Sequence, residues 1–255
     1  MRKLLLALTA TFGLAAAAPA SAQITLGETG LTLAPTATIA SDYLFRGISQ
    51  TRSRPAWQGS FELTHTSGLY IGGFISNVRF AYTDARQEVD VFGGYRFSAL
   101  GFNLDFGVQG YLYPGYSRAP GTYNLDFFEA YAKATREIGP VTLLGAINGS
   151  PNYFGQSGTG IYIEGGADWK TGILDVTLGG RVGYQWVERN VRWGTPDYAW
   201  WGIMFSRDFT LPVLGNTITA SVGYYDTSIS RGDCIYGTRQ DICGARAMGY
   251  LTFKF

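Results

Sequence analysis

The sequence predicts an all-β fold: a transmembrane, antiparallel, up-and-down β-barrel of about twelve strands, with both termini on the periplasmic side. Three observations predict it. Apolar and polar residues alternate with period two in segment after segment. The connections between those segments alternate between tight turns and long loops. The chain also closes on such a segment, in which every second residue back from Phe255 is apolar or small (Phe253, Leu251, Gly249, Ala247, Ala245). Lys254, Thr252 and Arg246 lie between them. Successive side chains of a strand point to opposite faces, so this pattern makes one greasy face and one wet face.

The elements come in order from the N-terminus. Arg2 and Lys3 precede an apolar run from Leu4 to Ala18, and then comes Pro19-Ala20-Ser21-Ala22. A basic start, an apolar stretch and a small-x-small exit make residues 1–22 an expected secretory signal peptide, cleaved after Ala22. Residues 23–255 are then the barrel domain. Nothing downstream offers roughly 18 continuous apolar residues, so no transmembrane helix is expected.

Strands are expected at 33–46, 57–66, 69–78, 87–98, 102–112, 126–138, 141–149, 159–169, 174–187, 199–209, 217–227 and 245–255. The run Phe102-Asn103-Leu104-Asp105-Phe106-Gly107-Val108-Gln109 shows the alternation plainly, as does Phe128-Glu129-Ala130-Tyr131-Ala132-Lys133-Ala134. Such lengths suit tilted membrane strands. After even-numbered strands the turns are tight or modest: Ser67-Gly68, Ala99-Leu100-Gly101, Gly139-Pro140, 170–173 and 210–216. After odd-numbered strands the connections lengthen: 47–56, 79–86, 113–125, 150–158, 188–198 and 228–244. Short periplasmic turns facing longer external loops, on an even strand count, are the pattern of outer-membrane barrels.

Composition agrees. The chain has 35 glycines, 15% aromatic and 15% charged residues; an ordinary globular domain carries about 25% charged residues. Loss of residues 1–22 would remove Arg2 and Lys3 from 20 basic residues, leaving 18 against 19 acidic ones. That balance points to no nucleic-acid partner. Tyr43, Tyr70, Tyr95, Tyr111, Trp169, Trp186, Trp200 and Trp201 fall near strand ends, where aromatic girdles meet the headgroups, although β proteins in general are rich in aromatics.

Few residues could carry chemistry. Cys234 and Cys243 lie in the last long loop, and in an oxidising compartment a pair this close is most simply a disulfide. The single histidine, His65, falls beside the Ser67-Gly68 turn. That is the wrong side for a histidine-serine lipid hydrolase of the outer leaflet, and it is too few for a histidine metal site. No catalytic residue, metal or cofactor is expected. By strand parity the lumen receives Asp42, Glu62, Asp90, Asp105, Glu129, Lys133, Glu164 and Arg181, the expected channel-lining set. Such charges either pair across a filled interior or line a water-filled path. Twelve strands enclose more than the eight whose interior side chains just fill, which favours a path. The loops place Arg46, Arg52, Arg54, Arg79, Arg118, Arg189 and Arg192 at the outer mouth. Arginine suits anionic solutes and equally the phosphates of lipopolysaccharide. The acidic lumen, which every ion must cross, argues instead for cations.

The run Ser41-Asp42-Tyr43-Leu44-Phe45-Arg46-Gly47-Ile48-Ser49-Gln50-Thr51 resembles the TorF-type porins, also called the Gcw_chp family. The resemblance continues through Pro55-Ala56-Trp57-Gln58-Gly59, Ser76-Asn77-Val78, Tyr111-Leu112-Tyr113-Pro114 and Ser150-Pro151-Asn152-Tyr153-Phe154. It implies an outer-membrane barrel with channel function and brings no catalytic residues. The Cys234–Cys243 loop lies outside that pattern. The terminal Phe255, with Phe253 and Leu251, resembles the signal read by the outer-membrane barrel assembly machinery. The expected function is passive diffusion of ions or small polar solutes across a Gram-negative outer membrane. The alternatives are a plugged barrel whose loops bind lipopolysaccharide or a surface partner, and a lipid hydrolase. Asp42 and Arg46 would share one face at the rim and could anchor the first external loop as a constriction.

Overall fold

A computed structural model describes residues 23–118, 121–211, 216–235 and 241–255; the expected leader lies outside the described residues. Twelve long strands form the wall: β1 (Leu31–Ala40), β2 (Ala56–His65), β3 (Leu69–Asn77), β4 (Gln87–Ala99), β5 (Phe102–Leu112), β6 (Phe127–Ile138), β7 (Val141–Ser150), β8 (Gly160–Lys170), β9 (Thr177–Val187), β10 (Tyr198–Thr210), β11 (Thr217–Thr227) and β12 (Arg246–Lys254). Every strand pairs antiparallel with its sequence neighbours, and β1 also pairs with β12, closing the sheet into a barrel without an edge. The closing seam is short, running from Ala40 opposite Tyr250 to Thr36 opposite Lys254. Phe255 continues it through a backbone bond to the Pro35 carbonyl (3.2 Å). Leu31, which opens β1, and Lys254, which closes β12, sit at the short-turn end. Among the described residues no helix is long and apolar enough to cross a membrane.

Period-two alternation fixes which side each residue faces. On β5, Phe106 and Val108 are about half exposed while Asp105 and Gln109 are buried. On β9, Val182, Tyr184 and Trp186 face outward and Gln185 is fully enclosed. Around the wall the outward positions carry Ile39, Phe61, Ile71, Val91, Ile147, Ile163, Ile203 and Val222, all 44–60% exposed. A continuous apolar belt of this kind is incompatible with a water-facing surface and matches the hydrocarbon of a bilayer. Aromatic rings flank it: Tyr95, Phe97, Trp169 and Phe209 toward the turns, Trp57, Phe128, Trp186 and Trp201 toward the loops. Tyr43, Tyr70, Tyr111 and Trp200, expected in those girdles, instead point into the barrel and are nearly inaccessible. At a strand end one residue of register decides between lipid and lumen, and Trp200 and Trp201 divide that way.

Two strand boundaries differ from expectation by more than two residues. The ninth strand begins at Thr177, because Leu174 and Asp175 take positive φ in the preceding turn. More consequentially, the first strand ends at Ala40 instead of 46. The chain leaves the wall at Ser41 and folds inward.

Candidate functional site

The inward segment is built around Asp42. One carboxylate oxygen accepts the Tyr43 N–H (2.8 Å) and the Ser49 and Thr51 hydroxyls (2.7 and 2.6 Å). The other accepts Arg246 Nη1 from β12 (3.0 Å). This local bonding competes with the strand ladder and pulls the chain off the wall. Leu44–Phe45 and Ile48–Ser49 then pair as a small hairpin. Its two connecting residues, Arg46 (φ 50°) and Gly47 (φ 83°), both have the positive φ that a two-residue hairpin favours. A Cβ on Gly47 would lie 2.7–2.8 Å from Thr227 Cγ2 and Trp200 Cβ, so glycine permits both the conformation and the close approach.

The hairpin tip carries Arg46 into the lumen. Its guanidinium grips Glu129 with two parallel bonds, Nη1–Oε1 2.9 Å and Nη2–Oε2 2.6 Å. It also donates to Gln185 Oε1 (2.6 Å) and lies 3.9 Å from the Tyr162 ring centroid. Glu129 accepts further bonds from the Tyr111 hydroxyl and Asn148 Nδ2 (both 3.2 Å). Bidentate geometry and complete satisfaction are what make a buried ion pair tolerable. Arg46, expected at the outer mouth, therefore sits inside the barrel at 5% exposure. It departs because the hairpin turn aims it inward. Nearby, Glu88 accepts the Tyr43 and Tyr113 hydroxyls (2.5 and 3.0 Å), and Asp90 accepts Gln109 Nε2 (2.8 Å). Glu88, Asp90 and Glu129 are at most 2% exposed. Phe74, Phe127 and Tyr153 pack in one buried cluster with Tyr43, Tyr111 and Tyr113, the tyrosines that bond these carboxylates, while the hairpin's Leu44 packs against Tyr225 and Met248.

Toward the turns the interior is held by arginines on wall strands. Arg96 bridges Glu62 (2.6 and 2.8 Å) and Asp105 (3.1 Å) and lies 3.7 Å above the Tyr70 ring centroid. The Tyr70 hydroxyl bonds both Asp105 and the Tyr131 hydroxyl. Arg181 pairs with Asp168 (2.7 Å), with Glu164 at 3.9 Å, and Lys254 lies 3.5 Å from Asp208. Lys133 differs: it rests 4.3 Å from the Tyr131 ring centroid and, among the described residues, makes no ion pair. The eight acidic and basic positions expected in the lumen thus all face the interior, Asp42 through the folded-in loop and not through the wall.

Residues 25–248 match the model of a bacterial family of unknown function, Gcw_chp. The chain belongs to the Gcw_chp family. No curated protein matches it in sequence. The fold of this Gcw_chp barrel is similar to that of the KdgM porin (TM-score 0.53, 11% identity, covering 87% of this chain and 99% of that one). It is similar to the NanC porin to nearly the same degree (TM-score 0.52, 10% identity, 88% and 98%).

The mouth of the Gcw_chp barrel carries Arg54, Arg79, Arg118 and Arg189 exposed, with Arg52 and Arg192 half-buried. Arg189 makes an exposed pair with Glu188 (3.5 Å). Cys234 and Cys243 are joined in a disulfide. His65 Nδ1 and Ser67 Oγ, 2.8 Å apart, close the turn locally. Among the described residues no group of His, Cys, Asp or Glu is arranged to hold a metal ion. Sequence reasoning missed the interior role of Tyr153, Tyr162, Gln185 and Trp200. Parity on β8, β9 and β10 was the available signal for the last three. Tyr153 lies in a loop and had none.

Proposed function

We propose that this protein is an outer-membrane channel of the TorF porin type, passing small polar solutes or ions by passive diffusion. The observation that carries the proposal is a closed twelve-strand wall, apolar outside and charged inside. In this reading residues 1–22 are a removed signal peptide, and the termini and short turns face the periplasm. The long loops face outward among lipopolysaccharide, and Phe255, Phe253 and Leu251 serve the assembly machinery. The channel lining includes Glu62, Asp105, Lys133, Glu164 and Arg181, and the hairpin at 44–49 forms its constriction.

The charge a solute meets is positive in this reading. Glu62 and Asp105 share Arg96, Asp168 and Glu164 share Arg181, and Glu129 and Asp42 each pair with one arginine, while Asp90 is sealed from water. Lys133, directly across the ladder from Asp105, offsets part of the carboxylate excess left by that sharing, and exposed Arg54 and Arg79 set a positive field at the mouth, so anions are favoured over the cations that parity alone suggested. The near-zero exposure of the hairpin and its carboxylates favours one second reading, a barrel plugged at the loop end. Planar-bilayer recording of refolded, heat-modifiable protein tests both: discrete steps with an anion-directed reversal potential support the channel, and silence from folded protein supports the plug.

A further inference from the structure

At the loop end the long loops enclose a cavity of about 290 Å³, close to the lower bound for small-molecule sites. All six long loops contribute to it. Its wall is aromatic and its rings are locked edge to face: Phe80–Tyr113 at 5.3 Å, Phe80–Phe154 at 5.4 Å and Phe154–Trp193 at 5.6 Å. Among the described lining residues, Arg79 and Arg192 are cationic and none is acidic. Arg192 is held in place over the Tyr123 ring (4.4 Å) and by a bond to the Gln156 carbonyl (3.1 Å). Rigid rings that present faces and edges suit a flat apolar ring. Two guanidinium groups in a lining without carboxylates suit one negative group.

We propose that this vestibule is a binding site for a small aromatic carboxylate, with the ring among Phe80, Phe154 and Trp193 and the carboxylate toward Arg79 and Arg192. Aromatic rings outnumber the small polar side chains Ser49, Gln50, Thr83 and Thr122 in this lining, which favours a flat ring over a sugar acid with its ring of hydroxyls. The assignment names the solute class for the channel proposed above and rests on that reading only for the solute's passage after capture.

The test is calorimetric titration of the refolded full-length barrel with benzoate, alongside benzyl alcohol and glucuronate, with tryptophan fluorescence in parallel. Saturable benzoate binding is expected, with little from either control. Arg79→Gln with Arg192→Gln should weaken it roughly tenfold or more, the loss of a charge-assisted contact. Trp193→Phe should remove the ligand-induced fluorescence change while calorimetric binding persists. Equal binding of benzyl alcohol overturns the anionic assignment, and preference for glucuronate overturns the aromatic one. A fluorescence change untouched by Trp193→Phe puts the site elsewhere. No binding to barrel shown folded by its heat-modifiable mobility removes the proposal. Binding without conduction would leave this site standing and remove the channel; conduction without binding does the reverse.

Discussion

At the loop end of the lumen Arg46 grips Glu129 with side chains 6% and 1% exposed; at the turn end Arg96 grips Glu62 with 15% and 8%. The two pairs have the same chemistry and the same bidentate geometry. What differs is where the cation comes from. Arg96 belongs to β4 and is held by the ladder on both sides. Arg46 is the tip of a loop that must be ordered to reach its partner, and that ordering has an entropic cost. One pair braces a wall that would stand without it. The other, with the Asp42 cluster, is what keeps a movable segment in the lumen. Burial alone does not tell the two apart; connectivity does.

The largest effect is expected from breaking the loop-end pair. Arg46→Ala strands Glu129 in a dry site and should cost about 3–5 kcal/mol, which hairpin release relieves. Limited proteolysis should then cut within 41–55 while the barrel keeps its heat-modifiable mobility. Glu129→Gln, which keeps shape and hydrogen bonding, should release the loop less. If neither variant exposes the loop, the hairpin is held by packing and not by the pair. Gly47→Ala comes next. Positive φ and sub-3 Å contacts to Thr227 and Trp200 make a cost of about 1–3 kcal/mol, read as a change in near-ultraviolet circular dichroism from the enclosed Trp200.

Arg96→Ala should act differently. It leaves Glu62 and Asp105 unanswered, so reversal potentials should move toward cations with no new protease site. A new cut in 41–55 would erase the distinction between the two halves. Reducing the Cys234–Cys243 disulfide frees a short loop, an effect of about 2–3 kcal/mol at most, and should raise cleavage in 228–245 without altering barrel melting. The smallest effect is expected from acid. Asp84 accepts the Ser117 N–H and Glu188 the Thr159 N–H, and these bonds hold both carboxyls below their ordinary values. Both tethers are therefore intact above the ordinary carboxylate range and are lost as pH falls through the lowered values. Cleavage in the loops they tie, 78–86, 113–126, 151–159 and 188–197, should rise only below about pH 4.

The wall was legible because its physics is periodic. Every expected strand exists, and Glu62, Asp105, Lys133 and Arg181 face inward as parity requires. The inserted loop was not legible in that way, since a loop has no period to read. Its traces were present nonetheless. Tyr43, Leu44, Phe45 and Ile48 are too apolar for a loop in water, and Arg46-Gly47 marks a tight turn among them. Extending β1 through these residues placed Arg46 at the rim, when the Asp42 cluster had already turned the chain inward. Pairing across the lumen was equally hidden. Parity names which charges face in, while register decides that Arg96 meets Asp105 on the next strand and Glu62 two strands away, and that Lys133, opposite Asp105, makes no ion pair among the described residues.

The most direct test of a hairpin-constricted channel compares single-channel conductance of wild-type and Arg46→Ala protein, both shown folded, in the same planar bilayer under a salt gradient. Small anion-selective steps are predicted for the wild type, and steps several-fold larger for the variant, as its hairpin leaves the lumen. Identical conductance in both would contradict the constriction, and silence in both would contradict the channel.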